Sequence, residues 1–279
     1  MISDPEGMQF LQWCLPRLGL RWSGFRKVRR RIYKRLKRHL HELGLPSLVA
    51  YRTYLADHAE EWAMLSTLCW MPITRFYRDR GVFQHLELAI LPQLADLVSK
   101  DRDNQLRCWS AGCASGEEPL SLAILWQHRL AGRYPAVEFH VVATDIDPLA
   151  IQRAQRGCFH WSSMKELPGE WRAEAFVESA EELCVKDKYR SAVTFLVQNL
   201  RDSVPDGIFH LILCRNLAFT YFDEISQREI LRRLTDKLAP GGALVIGKGE
   251  SLPDGLWAIE SWSLVMGVYR KPFLAKENG

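Results

Sequence analysis

The sequence is poor in several signatures that would fix a chemistry at once. None of its seven cysteines (Cys14, Cys69, Cys108, Cys113, Cys158, Cys184 and Cys214) stands in CxxC spacing with another, and none clusters with histidine at metal-ligand intervals. That pattern argues against a zinc ribbon or a dithiol redox motif, and the expectation is a chain that holds no metal and keeps its thiols reduced. No apolar run approaches the roughly 20 residues needed to span a bilayer. The opening MISDPEGMQF has neither the basic start nor the apolar core of a secretory signal, so a cytoplasmic protein without membrane insertion is expected. GxxxxGK[ST] and GxGxxG are both missing, which excludes a phosphate loop and a dinucleotide fingerprint. Internal repeats and low-complexity tracts are absent, and no Ser-His-Asp or Cys-His arrangement is evident.

What is present fits an ordinary globular protein of one large or two modest domains: 279 residues, 47% apolar and 25% charged. The net charge of +4 is unevenly placed. Nine Lys and Arg lie between Arg26 and Arg38 with no acid among them; taking these nine from 37 leaves 28 against 33 acids, a balance of −5. The positive excess is therefore local. Such a segment suits a solvated helix face, a nucleic-acid grip, a membrane-surface helix or a dock for an acidic protein.

The first 95 or so residues read as helices. Phe25, Val28, Ile32, Leu36, Leu40 and Leu43 recur at intervals of three and four, one apolar stripe of a single helix that Gly44 ends. Pro46-Ser47 opens the next helix, and a third runs from about Glu60 to Leu68. Beyond residue 104 strands alternate with helices: LRCWS, VEFHVVATD, AVTFLVQN, IFHLILC and GALVIG are strands, separated by EPLSLAILWQHRL, PLAIQRAQR and DEISQREILRRLTDKL. The alternation predicts an α/β fold with a doubly wound, mostly parallel sheet. A final hairpin around Trp257–Trp262 and Leu264–Tyr269 completes the seven-stranded pattern of a class I methyltransferase. Residues 160–192 are too long for a simple connection and predict an inserted subdomain with short strands of its own. The boundary falls between Tyr77 and Asp103, giving a helical domain with linker over 1–90 and an α/β domain over 91–279.

Chemistry concentrates at the strand ends. LRCWS runs into AGCASGEEP, a glycine-bearing turn that lets a ligand approach the backbone and the following helix. Glu117 and Glu118 stand where a phosphate site would want a cation. Two carboxylates would repel a pyrophosphate and suit a cationic ligand such as S-adenosylmethionine (SAM); the alternative is that both are only partners of the helix dipole in the first turn. At the end of the second strand Asp145 can accept both ribose hydroxyls, and Asp147 before Pro148 reads as a helix N-cap. Asn199 and Asn216 lie where strands meet loops, positions that serve a ligand or a turn.

Together these segments resemble the CheR-type chemotaxis protein-glutamate O-methyltransferases. The matching pieces run in family order: the basic helix ending in HELGL, TRFYRD (74–79), CWSAGCASGEEPLS (108–121), ATDIDPLAIQRAQRGCF (143–159), VTFLVQNL (193–200), CRNLAFTYFD (214–223), LAPGGALVIGKGESL (238–252) and VYRK (268–271). The resemblance implies a helical N-terminal domain for substrate docking beside a SAM-dependent methyltransferase domain. It implies a cofactor pocket drawn from Thr74, Arg78, Gly112, Glu118, Asp145, Asn199, Leu200, Asn216 and Leu217, with Arg78 near cofactor and substrate, Tyr221 close to the transferred methyl, and both as catalytic residues. Three departures stand out. Four residues rather than three separate CRN from Tyr221, Leu120 replaces a tyrosine after GEEP, and Lys248-Gly249 precede Glu250 in IGKGE where the family has IGHSE-like endings.

The expected reaction is methylation of glutamate carboxylates on chemoreceptor cytoplasmic helices. A carboxylate is already ionised near neutral pH, so alignment and water exclusion suffice and no general base is required. The resemblance points Arg26, Arg29, Arg30, Lys34, Lys37 and Arg38 at an acidic helical partner, and implies a monomer. Alternatives are a SAM-dependent methyltransferase of another protein, a nucleic acid or a small molecule, or a SAM-binding regulatory module of weakened activity.

Overall fold

The computed structural model describes residues 2–100, 103–179, 181–255 and 258–273. They fall into two compact units. The first is Met1–Met71 with Thr220–Gln227, and the second is Pro72–Phe219 with the chain from Arg228 onward. Residues 72–90, grouped in the sequence reading with the helical part, lie in the second unit.

The first unit holds helices α1 (Asp4–Cys14), α2 (Trp22–Phe25), α3 (Arg29–Glu42), α4 (Leu48–Asp57) and α5 (Glu61–Leu68). Ser3 caps α1 by accepting the Glu6 N–H, and Ser47 caps α4 through the Ala50 N–H. The single helix expected from Phe25 is instead two. Val28, at φ −108° and ψ −3°, breaks the backbone ahead of α3, while Phe25 still reaches the core from α2. Ile32, Leu36 and Leu40 are buried as the stripe requires, beside Leu11, Tyr51, Leu55 and Leu65. Two of the nine basic residues anchor α3. Arg29 grips both carboxylate oxygens of Asp4 at 2.8 and 2.9 Å, and the Arg35 guanidinium donates to the Leu68 and Trp70 carbonyls. Beneath the helix, Glu61 Oε1 lies 2.6 Å from His39 Nε2 and accepts the Tyr51 hydroxyl at 2.7 Å, so its buried carboxylate is hydrogen-bonded twice.

The second unit begins with α6 (Arg80–His85), a π-helical turn and α7 (Leu91–Val98). There follow β1 (Gln105–Ala111), α8 (Glu117–Arg129), β2 (Glu138–Asp145) and α9 (Pro148–Arg156). An inserted segment carries β3 (Cys158–His160), α10 (Gly169–Ala175), β4 (Phe176–Ser179), β5 (Glu182–Val185) and α11 (Asp187–Arg190). The chain returns through β6 (Val193–Val197) and β7 (Phe209–Cys214), then α12 (Ala218–Tyr221), α13 (Glu224–Lys237), β8 (Leu238–Ile246), β9 (Glu260–Ser263) and β10 (Val268–Arg270). The main sheet has the order β6-β2-β1-β7-β8-β10-β9, parallel except where β10 meets β8 and β9. This is the seven-stranded doubly wound architecture expected, and the insertion forms its own antiparallel sheet, β3-β5-β4. The closing hairpin is present as β9 and β10, while Trp257 lies outside the described residues. β8 starts earlier than GALVIG and runs through Pro240 because the strand bulges there: Phe209 faces Leu238, Leu211 already faces Ala243, and Gly241 takes φ +77°.

One expectation is corrected. Cys158 and Cys184 form a disulfide, so the thiols are not all free. The two residues are 26 apart in sequence but face each other directly across β3 and β5, a proximity that spacing along the chain does not reveal. The remaining five cysteines are buried. Among the described residues no helix is long and apolar enough to cross a membrane, and no group of His, Cys, Asp and Glu could hold a metal ion.

Candidate functional site

The carboxyl ends of β1, β2, β6, β7 and β8 supply the polar groups that the sequence singled out, as expected of a parallel sheet, whose ligand crevice lies there. The turn after β1 is built on positive φ at Gly112 (+79°), Ala114 (+47°) and Gly116 (+94°). A Cβ on Gly112 would stand 2.3 Å from Leu217 Cδ2, so a side chain there would displace the Leu217 methyl as well as strain a backbone at positive φ. The N–H groups of Gly112 and Cys113 both donate to the Thr144 carbonyl, binding the turn to the end of β2.

Asp145 closes the arrangement. Its Oδ2 accepts the Ala114 N–H at 2.8 Å and its Oδ1 accepts the Asp147 N–H at 3.0 Å. A carboxylate offers about four acceptor positions, so the two N–H groups of Ala114 and Asp147 leave capacity for a ribose hydroxyl. Burial raises its pKa above the usual carboxylate value, against the lowering effect of the Asp147, Ala114 and Ile146 backbone N–H groups. Asp147 caps α9 through the Leu149 N–H, the role read for it from sequence.

Glu118 accepts the Ser110 hydroxyl at 2.8 Å and Arg215 Nη1 at 2.9 Å. Arg215 Nη2 reaches Asp79 Oδ2 at 2.7 Å and the Arg78 carbonyl at 3.1 Å. Sequence reasoning missed Arg215, whose side chain is only 1% exposed. Its signal was a cation directly after the apolar run IFHLILC, where burial demands acidic partners. Glu250 was also passed over as a site residue. Its Oε2 accepts the Asn216 N–H at 2.8 Å and the Gly247 N–H at 2.6 Å, tying the ends of β7 and β8 together. Asn216 sits in the left-handed region at φ +56°.

The other residues named from sequence are placed as follows. Asn199 spends its side chain on a local turn, donating to Asp202 Oδ2 and accepting the Arg201 N–H, and Leu200 beside it is buried. Arg78 Nη1 donates to the Ile73 carbonyl at 2.6 Å, and Thr74 is half-buried. Tyr221 belongs to the first unit, where its ring lies 4.8 Å from that of Phe25 and its carbonyl accepts the Arg21 N–H. In the same unit Arg26, Arg30, Lys34, Lys37 and Arg38 are exposed.

These groups fit a nucleoside-bearing cation. The turn after β1 leads into two acids, Glu117 and Glu118, and the cation nearest Glu118, Arg215, is already paired with it. Of the four buried side-chain polar atoms without a hydrogen-bond partner among the described residues, Trp13 Nε1, His85 Nε2, Gln198 Oε1 and Arg215 Nε, the last two lie among these groups. Gln198 stands next to the ribose candidate, since its N–H donates to the Asp145 carbonyl at 2.8 Å. Unpaired groups of this kind are costly unless a ligand or water meets them.

The sequence profile of the CheR methyltransferase SAM-binding domain matches residues 73–262. A chemotaxis protein methyltransferase of Listeria innocua is 33% identical over 64% of this chain, and the match spans 65% of that relative's length. A probable chemotaxis protein methyltransferase of Rhizobium etli is 34% identical, covering 78% of this chain and 83% of its own. The chemotaxis protein methyltransferase of Escherichia coli is 31% identical, with 90% and 85% covered.

Proposed function

The chain belongs to the CheR methyltransferase family, and on that premise we propose that it methylates glutamate side chains of an acidic helical protein, the cytoplasmic part of a chemoreceptor, using SAM. The observation that carries the reading is the Asp145 carboxylate, fixed by the turn after β1 with acceptor capacity to spare. Asp145 holds the ribose, Asn199 and Leu200 lie at the adenine end, and Gly112 with Leu217 and Asn216 shape the wall toward the sulfur. Glu118, charge-balanced by Arg215, faces the cationic part of the ligand. When bound, SAM supplies an electrophilic methyl carbon on a sulfonium.

The chain's own residues bind, orient and exclude water. Arg78 organises the entrance and aligns the incoming carboxylate. A full bidentate pair would blunt the nucleophile, so its guanidinium is shared with the Ile73 carbonyl. Tyr221 is assigned to the acceptor side. The exposed cations Arg26, Arg30, Lys34, Lys37 and Arg38 attract the acidic helix, and Arg29 supports them from its Asp4 anchor.

The test is mass spectrometry of a receptor cytoplasmic domain after incubation with the chain and labelled SAM. Base-labile label on glutamate is expected. Label that survives mild base would move the acceptor to nitrogen or carbon, and no transfer to any receptor would overturn the reading.

A further inference from the structure

The segment Phe76–Asp79 is held in an unusual way. Tyr77 and Asp79, on either side of Arg78, both occupy the left-handed region, at φ +57° and +61°. Neither is glycine, and such residues persist only where the surroundings over-determine them. The surroundings here are identifiable, and most of them come from the inserted segment.

Phe76 is fully buried, and its ring meets two rings of the inserted sheet edge to face. The Phe159 centroid of β3 lies 4.9 Å away at 90°, and that of Phe176 in β4 lies 5.2 Å away at 83°. Its N–H donates to the Ser163 carbonyl at 2.9 Å, again in the insertion. Tyr77 stacks on Phe83 and meets Trp171 of α10 edge-on at 5.4 Å. The Tyr77 N–H donates to Ser121 Oγ at 2.9 Å, and that hydroxyl donates to the Glu117 carbonyl at 2.6 Å in the first turn of α8. At the far end the Arg78 carbonyl and the Asp79 carboxylate accept from Arg215. The backbone on both sides of Arg78 is thus pinned, while its own guanidinium donates to the neighbouring Ile73 carbonyl. The direction of Arg78 follows from its backbone, and the backbone follows from the clamp.

We infer that Phe76 is a positioning residue through which the inserted three-stranded sheet sets the direction of Arg78. The insertion thereby has a part in the reaction, and a partner that shifts β3 against β4 acts on the reacting end of the site. Only the kinetic arm of the test below rests on the methyl-transfer reading.

The test replaces rings one at a time: Phe159→Leu, Phe176→Leu and Phe76→Leu, with Phe159→Tyr as the conservative partner. Amide hydrogen exchange on the ligand-free chain is read at Phe76 and Tyr77, with β1 and β2 as internal references. Exchange at Phe76 and Tyr77 should quicken at least about tenfold in Phe159→Leu, stay near the unaltered rate in Phe159→Tyr, and leave β1 and β2 unchanged. In methyl transfer, kcat/KM should fall by about tenfold to a hundredfold in the leucine variants and recover in Phe159→Tyr. Exchange that is unchanged, or raised uniformly through β1 and β2, overturns the inference; so does faster local exchange with turnover intact. If Phe76→Leu does not fold, the two single-ring variants of the inserted sheet decide the matter. An unaltered chain that transfers no methyl group counts against the function proposed above, and the exchange result then judges the clamp alone.

Discussion

Asp145 Oδ2 accepts the Ala114 backbone N–H at 2.8 Å, so the acid that ends one strand is fixed by the turn that ends its neighbour. The carboxylate therefore meets a ribose with its orientation already set. Asp145→Ala should remove most SAM and S-adenosylhomocysteine binding in calorimetry. Asp145→Asn should fall between, since its amide keeps one acceptor but turns a donor toward either the Ala114 N–H or the ribose. Affinity unchanged by either substitution would show that the ribose lies elsewhere.

The same residue sets a pH dependence. Burial holds the Asp145 pKa above its ordinary 3.8. As pH falls through that raised value the carboxylate protonates and loses acceptor capacity, so SAM affinity should fall at a pH higher than an ordinary aspartate would give. Stability of the free chain moves the other way. A folded pKa above the unfolded one means this group's stabilising contribution is complete below the unfolded pKa and is lost as pH rises through the folded one. Thermal-shift titration toward acid pH should show the SAM-induced rise in Tm shrinking in the unaltered chain and no such trend in Asp145→Ala.

Arg215 balances two carboxylates at once, 2.9 Å from Glu118 and 2.7 Å from Asp79. Removing it leaves both acids facing an empty space with no countercharge. Arg215→Leu should cost about 3–5 kcal/mol, the usual penalty for breaking a buried ion pair from one side, and the low end applies because Asp79 keeps 31% of its side chain in water. Arg215→Lys should recover only part, since a point ammonium cannot serve both acids in the guanidinium's fork geometry. Urea denaturation reads both, and a midpoint unmoved in Arg215→Leu would remove the network from the account of stability.

The disulfide gives a direct chemical check. Denatured without reductant, the chain should present five reactive thiols, those of Cys14, Cys69, Cys108, Cys113 and Cys214. Seven would return the molecule to the reduced state expected from sequence. Closing a loop between residues 26 apart stabilises by about 3.5 kcal/mol when the loss of freedom in the unfolded chain dominates. Cys158→Ser with Cys184→Ser should therefore loosen the inserted sheet before the main one, as hydrogen exchange at β5 would report.

Much of this was legible in the residues because burial periodicity and turn chemistry are local. The strands around LRCWS and VEFHVVATD, the glycine turn, Asp145 and the insertion at 160–192 all came from short-range pattern. What escaped depends on distant pairing. Phe25 and Ile32 belong to one stripe yet lie on two helices, since the stripe carries no sign of the break at Val28. Cys158 and Cys184 meet only once β3 and β5 pair. Arg215 and Glu250 bind partners 97 and 34 residues away, and nothing in their spacing announces either. Asn199 shows the opposite case, for the turn role read from its type is the one its side chain fills.

The basic helix separates anchoring charge from free charge, and that separation is testable. Arg29 is committed to Asp4 and Arg35 to two carbonyls, whereas Arg30, Lys34 and Lys37 are exposed on α3, whose Ile32 and Leu36 face the core. Charges of the second kind act at a distance, chiefly on encounter, and are screened beyond about 10 Å at 0.1 M salt. Lys34→Glu with Lys37→Glu should lower kcat/KM for a receptor domain by about tenfold at low salt, with kcat at saturation little changed. The deficit should close as ionic strength rises, because salt removes from the unaltered chain the advantage the variant has lost. Arg29→Ala should behave differently, acting on the melting temperature through the lost Asp4 pair and only modestly on the salt slope. Transfer to a receptor that ignores ionic strength, in the unaltered chain and the charge-reversed one alike, would remove α3 from the docking surface.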